Sequence, residues 1–268
     1  MITYPFAYTR AKSLNEASAL IAANPDAKII AGGQTLIPTM KQRLAQPATL
    51  IDISGLKELA FIRATGNVVT IGAATKHADV ATSADVRNTI PALAHLAGEI
   101  GDPAVRHLGT IGGSLANNDP AADYPAAALG LGATLKTTKR EIAADDFFTG
   151  MFETALADGE IVSEVSFPVP EKAGYAKFPN PASRYAMVGV FVAKTKSGVR
   201  VAVTGAGPCV FRVPAMESAL TSKFTPEAVA NVKIAAADLN SDLHGSAEYR
   251  AHLVTVMAKR AVVAANAG

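Results

Sequence analysis

The sequence has a single cysteine and no tryptophan. Cys209 stands alone among 268 residues, so the chain cannot form an internal disulfide and has no cysteine cluster for zinc or an iron–sulfur centre. The five histidines are scattered and form no H-E-x-x-H motif. We therefore expect no metal site in this chain.

The sequence also lacks an excess of either charge and any long apolar run. Lysine and arginine number 25 against 23 acidic residues, a net charge of +2, so we expect no nucleic-acid partner. The most apolar stretch, residues 125–135, is much shorter than the roughly 20 residues of a membrane span. No basic start followed by an apolar segment marks a signal peptide. These features predict a cytoplasmic protein without a transmembrane segment.

Apolar residues are abundant, at 49% of the chain, whereas charged residues make up 18%. Such a composition predicts a large buried core rather than disorder. The length suggests either one large domain or two modest ones.

Periodicity and capping signals predict a mixture of helices and strands. Ser13 and Glu16 form a capping box for a helix that ends at Asn24, and Thr35 can cap a second helix. Further helices are expected near 91–99, from Thr225 through Leu239, and from Ser246, while residues 101–125 show little regular periodicity. Strands are expected over 28–30, 49–53, 68–71, 161–167, 185–194 and 199–204, the last two as a hairpin.

Two glycine pairs are the strongest candidates for a binding site. The first lies in Ala31–Thr35 at a strand-to-helix junction, and the second lies in Thr110–Ser114. Adjacent glycines let successive backbone N–H groups approach an anion, and hydroxyl residues beside each pair offer further donors. Hydrogen bonds to a charged acceptor contribute about 1.5–3 kcal/mol each. Two such loops could clasp a diphosphate without much basic charge, although a glycine pair can equally be a simple turn.

Other common motifs are absent. Neither glycine pair has the G-x-G-x-x-G spacing of a dinucleotide-binding turn, and no P-loop or G-x-S-x-G nucleophile elbow is present. From the residues alone, the sequence predicts a phosphate-bearing ligand of unknown identity.

The chain resembles the FAD-binding medium subunits of molybdenum hydroxylases. It is most similar to the carbon monoxide dehydrogenase medium-subunit type and more distantly similar to the xanthine dehydrogenase FAD domain. The resemblance extends over nearly the whole chain and is carried by YPFAYTRAKSLNEA, AGGQTLIPTMKQRLAQPATLIDI, IGAATKHAD, GDPAVRHLGTIGGSLANNDPAADYPAAALGLGA and the final AEYRAHL…KRAV helix. Ser114 and Gln34 depart from the residues frequent in that family.

This resemblance implies an α+β fold of the PCMH type. Two α+β subdomains, at about 1–55 and 56–170, would form an FAD-binding domain over residues 1–170. A C-terminal flavoprotein domain, residues 171–268, would contain a three-stranded sheet with helices.

The resemblance also implies which residues contact FAD. The two glycine loops would wrap the pyrophosphate, Asp123 would contact the polar part of the cofactor, and Lys28 would precede the first loop. Ile161 or Val162 would pack near the flavin, and Lys177 and Tyr185 would lie beside the isoalloxazine, with Tyr185 positioned to stack on the ring. The expected cofactor-binding set is Lys28, Ala31, Gly32, Gly33, Gln34, Thr35, Leu36, Thr110, Ile111, Gly112, Gly113, Ser114, Asn117, Asp123, Ile161, Val162, Lys177 and Tyr185.

The function implied is that of an electron-transfer subunit without substrate chemistry of its own. Substrate would be oxidised at a molybdenum cofactor in a large subunit, and electrons would pass through two [2Fe–2S] clusters in a small subunit to FAD here. We expect a heterotrimer, assembled as a dimer of heterotrimers, and an external electron acceptor. The alternative is a stand-alone FAD-dependent oxidase or reductase of the vanillyl-alcohol-oxidase-like fold. A nucleotide-binding assembly module without a redox role also stays open.

Overall fold

The computed structural model describes residues 2–268, which form three β-sheets, one short hairpin and the helices packed on them. The strands are β1 Ala7–Arg10, β2 Ala27–Ile30, β3 Thr49–Asp52, β4 Ile62–Thr65, β5 Val68–Gly72, β6 Thr134–Thr137, β7 Glu141–Ala143, β8 Phe148–Gly150, β9 Glu153–Thr154, β10 Val162–Pro168, β11 Lys172–Pro179, β12 Ala186–Thr195, β13 Gly198–Thr204 and β14 Phe211–Arg212. The helices are α1 Leu14–Ala23, α2 Leu36–Lys41, α3 His77–Thr82, α4 Ala84–Thr89, α5 Pro91–Gly98, α6 Pro103–Arg106, α7 Ile111–Asn117, α8 Tyr124–Leu131, α9 Ala144–Phe147, α10 Pro214–Ser222 and α11 Ala247–Ala267.

The first sheet is parallel, with strand order β1-β3-β2. Helix α1 connects β1 to β2 and starts as predicted, because the Ser13 hydroxyl accepts a hydrogen bond from the Glu16 N–H at 3.1 Å. The Glu16 carboxylate turns back to the Lys12 N–H, at 2.6 Å, one residue earlier than a capping box requires. Strand β2 then leads directly into the first glycine loop and α2.

The second sheet is antiparallel, with strand order β4-β5-β10-β6-β7 and β10 at its centre. The helices between β5 and β6 cover it and share its largest apolar core. Every residue of α8 is buried, as expected for a helix that is apolar on all sides. Helix α8 also contacts β12 and β13, so it joins this core to the third sheet.

The third sheet has the antiparallel order β11-β12-β13-β14. Its three long strands are the expected ones, and the two-residue β14 adds a short fourth strand. Side chains alternate between the faces of β12: Val190 packs toward α11, whereas Phe191 packs toward α8. The α+β class expected from the sequence is confirmed.

Two expectations about local structure are wrong. The helix from Thr225 through Leu239 is only a 3-10 turn, Pro226–Val229, because the Thr225 side chain makes no cap hydrogen bond and Asn240 ties the later residues to Ala206 and Gly207. The segment 101–125 is also more regular than expected. It contains α6, α7 and the start of α8.

Within residues 2–268, no helix combines the length and the apolar character that a membrane crossing requires.

Candidate cofactor site

A cavity of about 680 Å³ lies where the first sheet, the second sheet and the β11–β12 turn of the third sheet meet. This volume is typical of small-molecule and cofactor pockets. Four segments form most of its lining: residues 28–36, residues 100–123, residues 156–162 and the turn before β12. Thr39, Ile53, Ala73 and His77 complete it. All of the predicted cofactor-binding residues line the cavity except Ile111 and Lys177.

The first glycine loop offers a run of unused backbone donors. Gly33 has φ +69°, a conformation that glycine adopts without strain, and it reverses the chain between β2 and α2. Within the described residues, the N–H groups of Gly32, Gly33, Gln34 and Thr35 have no hydrogen-bond acceptor. The Thr35 side chain makes no cap hydrogen bond to α2. Buried or half-buried N–H groups are normally paired, so this loop is suited to an anionic ligand.

The second glycine pair differs from the first because the fold uses its N–H groups. Thr110 is the N-cap of α7, and its hydroxyl accepts from the Gly113 N–H at 3.2 Å. The N–H groups of Ile111 and Gly112 donate to the carbonyls of Thr75 and Ala73, at 3.0 and 2.9 Å. This pair therefore builds a helix start at the cavity wall rather than an open ring of donors. Ile111 itself is fully buried in the core.

Glycines allow close backbone contacts beside both loops, and Gly32 brings the first loop against the residues that precede the second. A Cβ atom on Gly32 would overlap the backbone of Leu108 and Gly109, and one on Gly112 would overlap Ala73. Close backbone approach therefore requires glycine at both positions. Beside this contact, the Ser114 hydroxyl and the Asn117 amide face the cavity and are not engaged by other described side chains.

Asp123 is buried at the cavity wall and is held by two groups from β11. Its Oδ1 accepts from the Tyr175 hydroxyl at 2.5 Å and lies 3.0 Å from the Lys177 ammonium, whose side chain is 2% exposed. Burial raises the pKa of Asp123, and the Lys177 charge and the Tyr175 hydrogen bond oppose this rise. Lys177 also donates to the Glu99 carbonyl at 2.7 Å. Lys177 thus lies behind Asp123, and β11 is tied to the cavity wall.

Asp123 also occupies the N-cap position of α8, where its side chain makes no capping hydrogen bond. Its carboxylate is directed to Tyr175 and Lys177 instead, so its position is determined by the third sheet.

Tyr185 lies at the mouth of the cavity and remains 44% exposed. It follows a turn in which Asn180 bonds to the Tyr185 carbonyl at 2.8 Å and Arg184 has φ +62°. Partial burial raises the pKa of Tyr185, the Asp119 and Asp123 carboxylates raise it further, and the Thr35 hydroxyl opposes them. An aromatic ring thus lies between the first loop and the acidic wall.

Four titratable residues of the lining were not among the predicted site residues: His77, Asp119, Glu160 and Arg184, the last of which lies in the turn before β12. His77 begins α3, Asp119 follows α7, and Glu160 precedes β10. The carboxylate of Glu160 is used by the fold, because it accepts from the Thr137 hydroxyl at 2.6 Å and from the Ala157 N–H at 2.8 Å. His77 lies in IGAATKHAD, a segment that carries the family resemblance, but neither its residue type nor its spacing indicates a ligand.

The sequence matches two family models along almost its full length. The model of the FAD binding domain in molybdopterin dehydrogenase matches residues 4–170, and the model of the CO dehydrogenase flavoprotein C-terminal domain matches residues 173–265. The chain belongs to this flavoprotein family. It is accordingly a subunit of an oxidoreductase and contains an FAD-binding domain.

Comparison with individual proteins supports the same family assignment. The chain is 38% identical to the carbon monoxide dehydrogenase medium chain of Hydrogenophaga pseudoflava over 282 residues, which covers 99% of this chain and 98% of that one. It is 37% identical to the nicotine 6-hydroxylase medium subunit of Paenarthrobacter nicotinovorans, with 97% of each covered.

A solved structure is similar over the same length. The structure of carbon monoxide dehydrogenase from H. pseudoflava lacking the Mo-pyranopterin moiety of the molybdenum cofactor aligns with a TM-score of 0.89 at 38% identity. The alignment covers 100% of this flavoprotein and 99% of that chain. The resemblance inferred from the sequence motifs is therefore confirmed.

Proposed function

We propose that this flavoprotein is the FAD-carrying electron-transfer subunit of a heterotrimeric molybdenum hydroxylase. A large subunit would hold the molybdenum cofactor, and a small subunit would hold two [2Fe–2S] clusters. Electrons from substrate oxidation would reach the flavin through those clusters and leave to an external acceptor. The observation that carries the proposal is the cavity with its row of free N–H groups, in a chain that matches medium subunits end to end.

The residues of the cavity fit FAD. The free N–H groups of Gly32 through Thr35 would bind diphosphate oxygens, and Ser114 and Asn117 would add side-chain donors. Asp123 would accept hydrogen bonds from hydroxyl groups of the cofactor while Lys177 and Tyr175 hold it in place. The Tyr185 ring would stack against the isoalloxazine at the mouth. Bound FAD would supply reversible one- and two-electron redox chemistry.

The organic substrate would be selected outside this chain. Relatives of similar length and identity carry names that refer to carbon monoxide and to nicotine, two chemically unrelated molecules. A shared medium subunit therefore supports substrate selection in a different subunit. The proposed role of this chain is to bind FAD, set its potential and leave a path for the acceptor.

We also propose the domain division at residues 170/171, with N-terminal subdomains at about 1–55 and 56–170. The grouping of strands supports this division, because the first sheet uses residues 7–52, the second uses 62–168 and the third begins at Lys172. Assembly as a dimer of heterotrimers and a cytoplasmic location remain predictions from the sequence.

The experiment that tests the proposed function is purification from the native host through a tag on this chain. We expect a large and a small subunit to co-purify, with molybdenum, iron and FAD in the same fractions. Mass spectrometry identifies the chains, and elemental analysis measures the metals. A flavin-containing protein that purifies alone, without molybdenum or iron, would instead favour the stand-alone oxidase or reductase.

A further inference from the structure

His77 is a buried polar side chain that the fold leaves without a partner. It lines the cavity and is only 5% exposed. Nδ1 is enclosed by the protein and makes no hydrogen bond, whereas Nε2 lies at the ring edge beside Gly109. Because Nδ1 has no exposed surface, the ring nitrogen that a ligand in the cavity can reach is Nε2, and a buried imidazole is normally hydrogen-bonded.

The ring lies at the contact between the first glycine loop and the residues that precede the second. The His77 N–H donates to the Gly109 carbonyl at 3.0 Å, and a Cβ on Gly109 would lie 2.6 Å from the imidazole Nε2. Gly109 in turn touches Gly32 of the first loop. The glycine at position 109 thus leaves room for the imidazole edge beside the residues that would hold the diphosphate.

The imidazole of His77 is uncharged at neutral pH and can act as a hydrogen-bond donor. Burial lowers its pKa to about 4, and the positive charge of Arg106 acts in the same direction. Tyr124 faces the ring at a centroid distance of 5.3 Å and is uncharged at neutral pH, because burial raises the pKa of its hydroxyl well above 10. A neutral imidazole carries one N–H donor, which can bind an anionic oxygen without adding charge to the cavity.

We propose that His77 is a further FAD-binding residue, whose Nε2–H donates a hydrogen bond to an oxygen of the cofactor diphosphate. This inference rests on the proposed function, because it requires FAD to occupy this cavity. It adds a side-chain donor beside the backbone donors of the first loop. The competing explanation is that His77 only packs against Tyr124, whose hydroxyl is likewise buried without a partner.

A matched pair of substitutions separates these explanations. Methionine and glutamine have similar lengths, but only glutamine keeps an N–H donor. We therefore compare His77→Met with His77→Gln in the protein purified with its partners and stripped of flavin. His95→Met, which replaces an exposed histidine of α5, is the control. Dissociation constants for FAD and for riboflavin, which lacks the diphosphate, are measured by flavin fluorescence, and circular dichroism verifies folding.

We expect His77→Met to weaken FAD binding by about 10- to 100-fold, as loss of one hydrogen bond to a charged group predicts. His77→Gln should stay within about threefold of the original affinity, and riboflavin affinity should change equally little in both variants. Equal FAD affinity in the methionine variant and the parent, or equal loss in both variants, overturns the inference. If the parent protein itself binds no FAD, the proposed function fails first.

Discussion

At the residue scale, Gly33 has a backbone conformation that residues with a side chain rarely adopt. Its φ of +69° is strained for any β-branched residue, and a Cβ there would also press on Ile37. Gly33→Val should therefore abolish flavin binding, because the chain can no longer present its N–H groups to the diphosphate. The measurement is the ratio of flavin to protein after purification.

Gly66 provides the matched control for this prediction. It also has a positive φ, +60°, but lies in the β4–β5 turn with nothing within 4 Å of an added Cβ. Gly66→Val carries similar backbone strain away from the cavity and should keep its flavin. Full flavin content in Gly33→Val would argue against the role of the first loop.

The effect of replacing Lys177 on the stability of the protein should depend on pH. Lys177→Met leaves the buried Asp123 carboxylate without its cation, which should reduce the free energy of unfolding by about 3–5 kcal/mol near neutrality. Lys136→Met, which removes an exposed partner of Glu164, should change it by less than about 1 kcal/mol.

The sign of the pH dependence follows from the raised pKa of Asp123. A carboxyl whose pKa is higher in the folded state holds its proton there, so stability falls as the pH rises through that pKa. Removing Lys177 raises this pKa further. The loss in free energy of unfolding of Lys177→Met relative to the parent should therefore grow as the pH rises above about 4. Urea denaturation across roughly pH 4.5–7.5 measures this difference. A difference that is largest in acid would contradict the role of Lys177 as the partner of a charged Asp123.

At the element scale, the cavity depends on how α7 starts. Thr110→Val removes the cap that fixes Gly113, and a lost N-cap reduces stability by about 0.5–2 kcal/mol. FAD affinity should fall as well, since the first turn of α7 forms the cavity wall. Thermal unfolding and FAD titration are the two measurements.

Ser246→Ala is the corresponding control, because the Ser246 hydroxyl caps α11 through the Tyr249 N–H at 3.2 Å, away from the cavity. It should lower stability by a similar amount and leave FAD affinity unchanged. If both variants lose FAD affinity equally, Thr110→Val weakens FAD binding through global stability rather than through the cavity wall.

The sequence predicted those elements whose apolar pattern and caps agree with their packing. Helices α1 and α11 begin at Ser13 and Ser246 as expected, and the β12–β13 hairpin follows its alternating pattern. The start of α7 could not be predicted, because two glycines favour a loop and the bonds that make it helical come from the distant Ala73 and Thr75. The apolar spacing after Thr225 suggested a helix, but those residues pack as an irregular segment.

The sequence likewise predicted only part of the site. The glycine loops and Asp123 stand in recognisable motifs, so their convergence on one cavity could be anticipated. The position of Lys177 behind Asp123, and of His77 between the loops, depends on contacts between segments more than 30 residues apart in sequence. Local pattern does not encode such contacts.

At the scale of the whole molecule, Tyr185 should affect electron transfer more than cofactor retention. Its ring is half-exposed at the cavity mouth, whereas the expected diphosphate donors are backbone N–H groups of the first loop, which a substitution at Tyr185 leaves in place. Tyr185→Ala should keep most of its flavin but change the rate at which the reduced flavin is reoxidised. Stopped-flow absorbance measures that rate, with Tyr185→Phe, which keeps the ring, as the control. Loss of flavin with unchanged kinetics in the remaining holoprotein would reverse the assignment.

The central claim is that this chain holds one FAD in the cavity between its two glycine loops. The most direct measurement is a count of the flavin released by acid from the protein purified through a tag on this chain, together with its chemical identity. We expect one FAD per chain, released as the intact dinucleotide and bleached in the holoprotein on reduction. Protein that carries no flavin, or that carries FMN without the adenylate half, would contradict it.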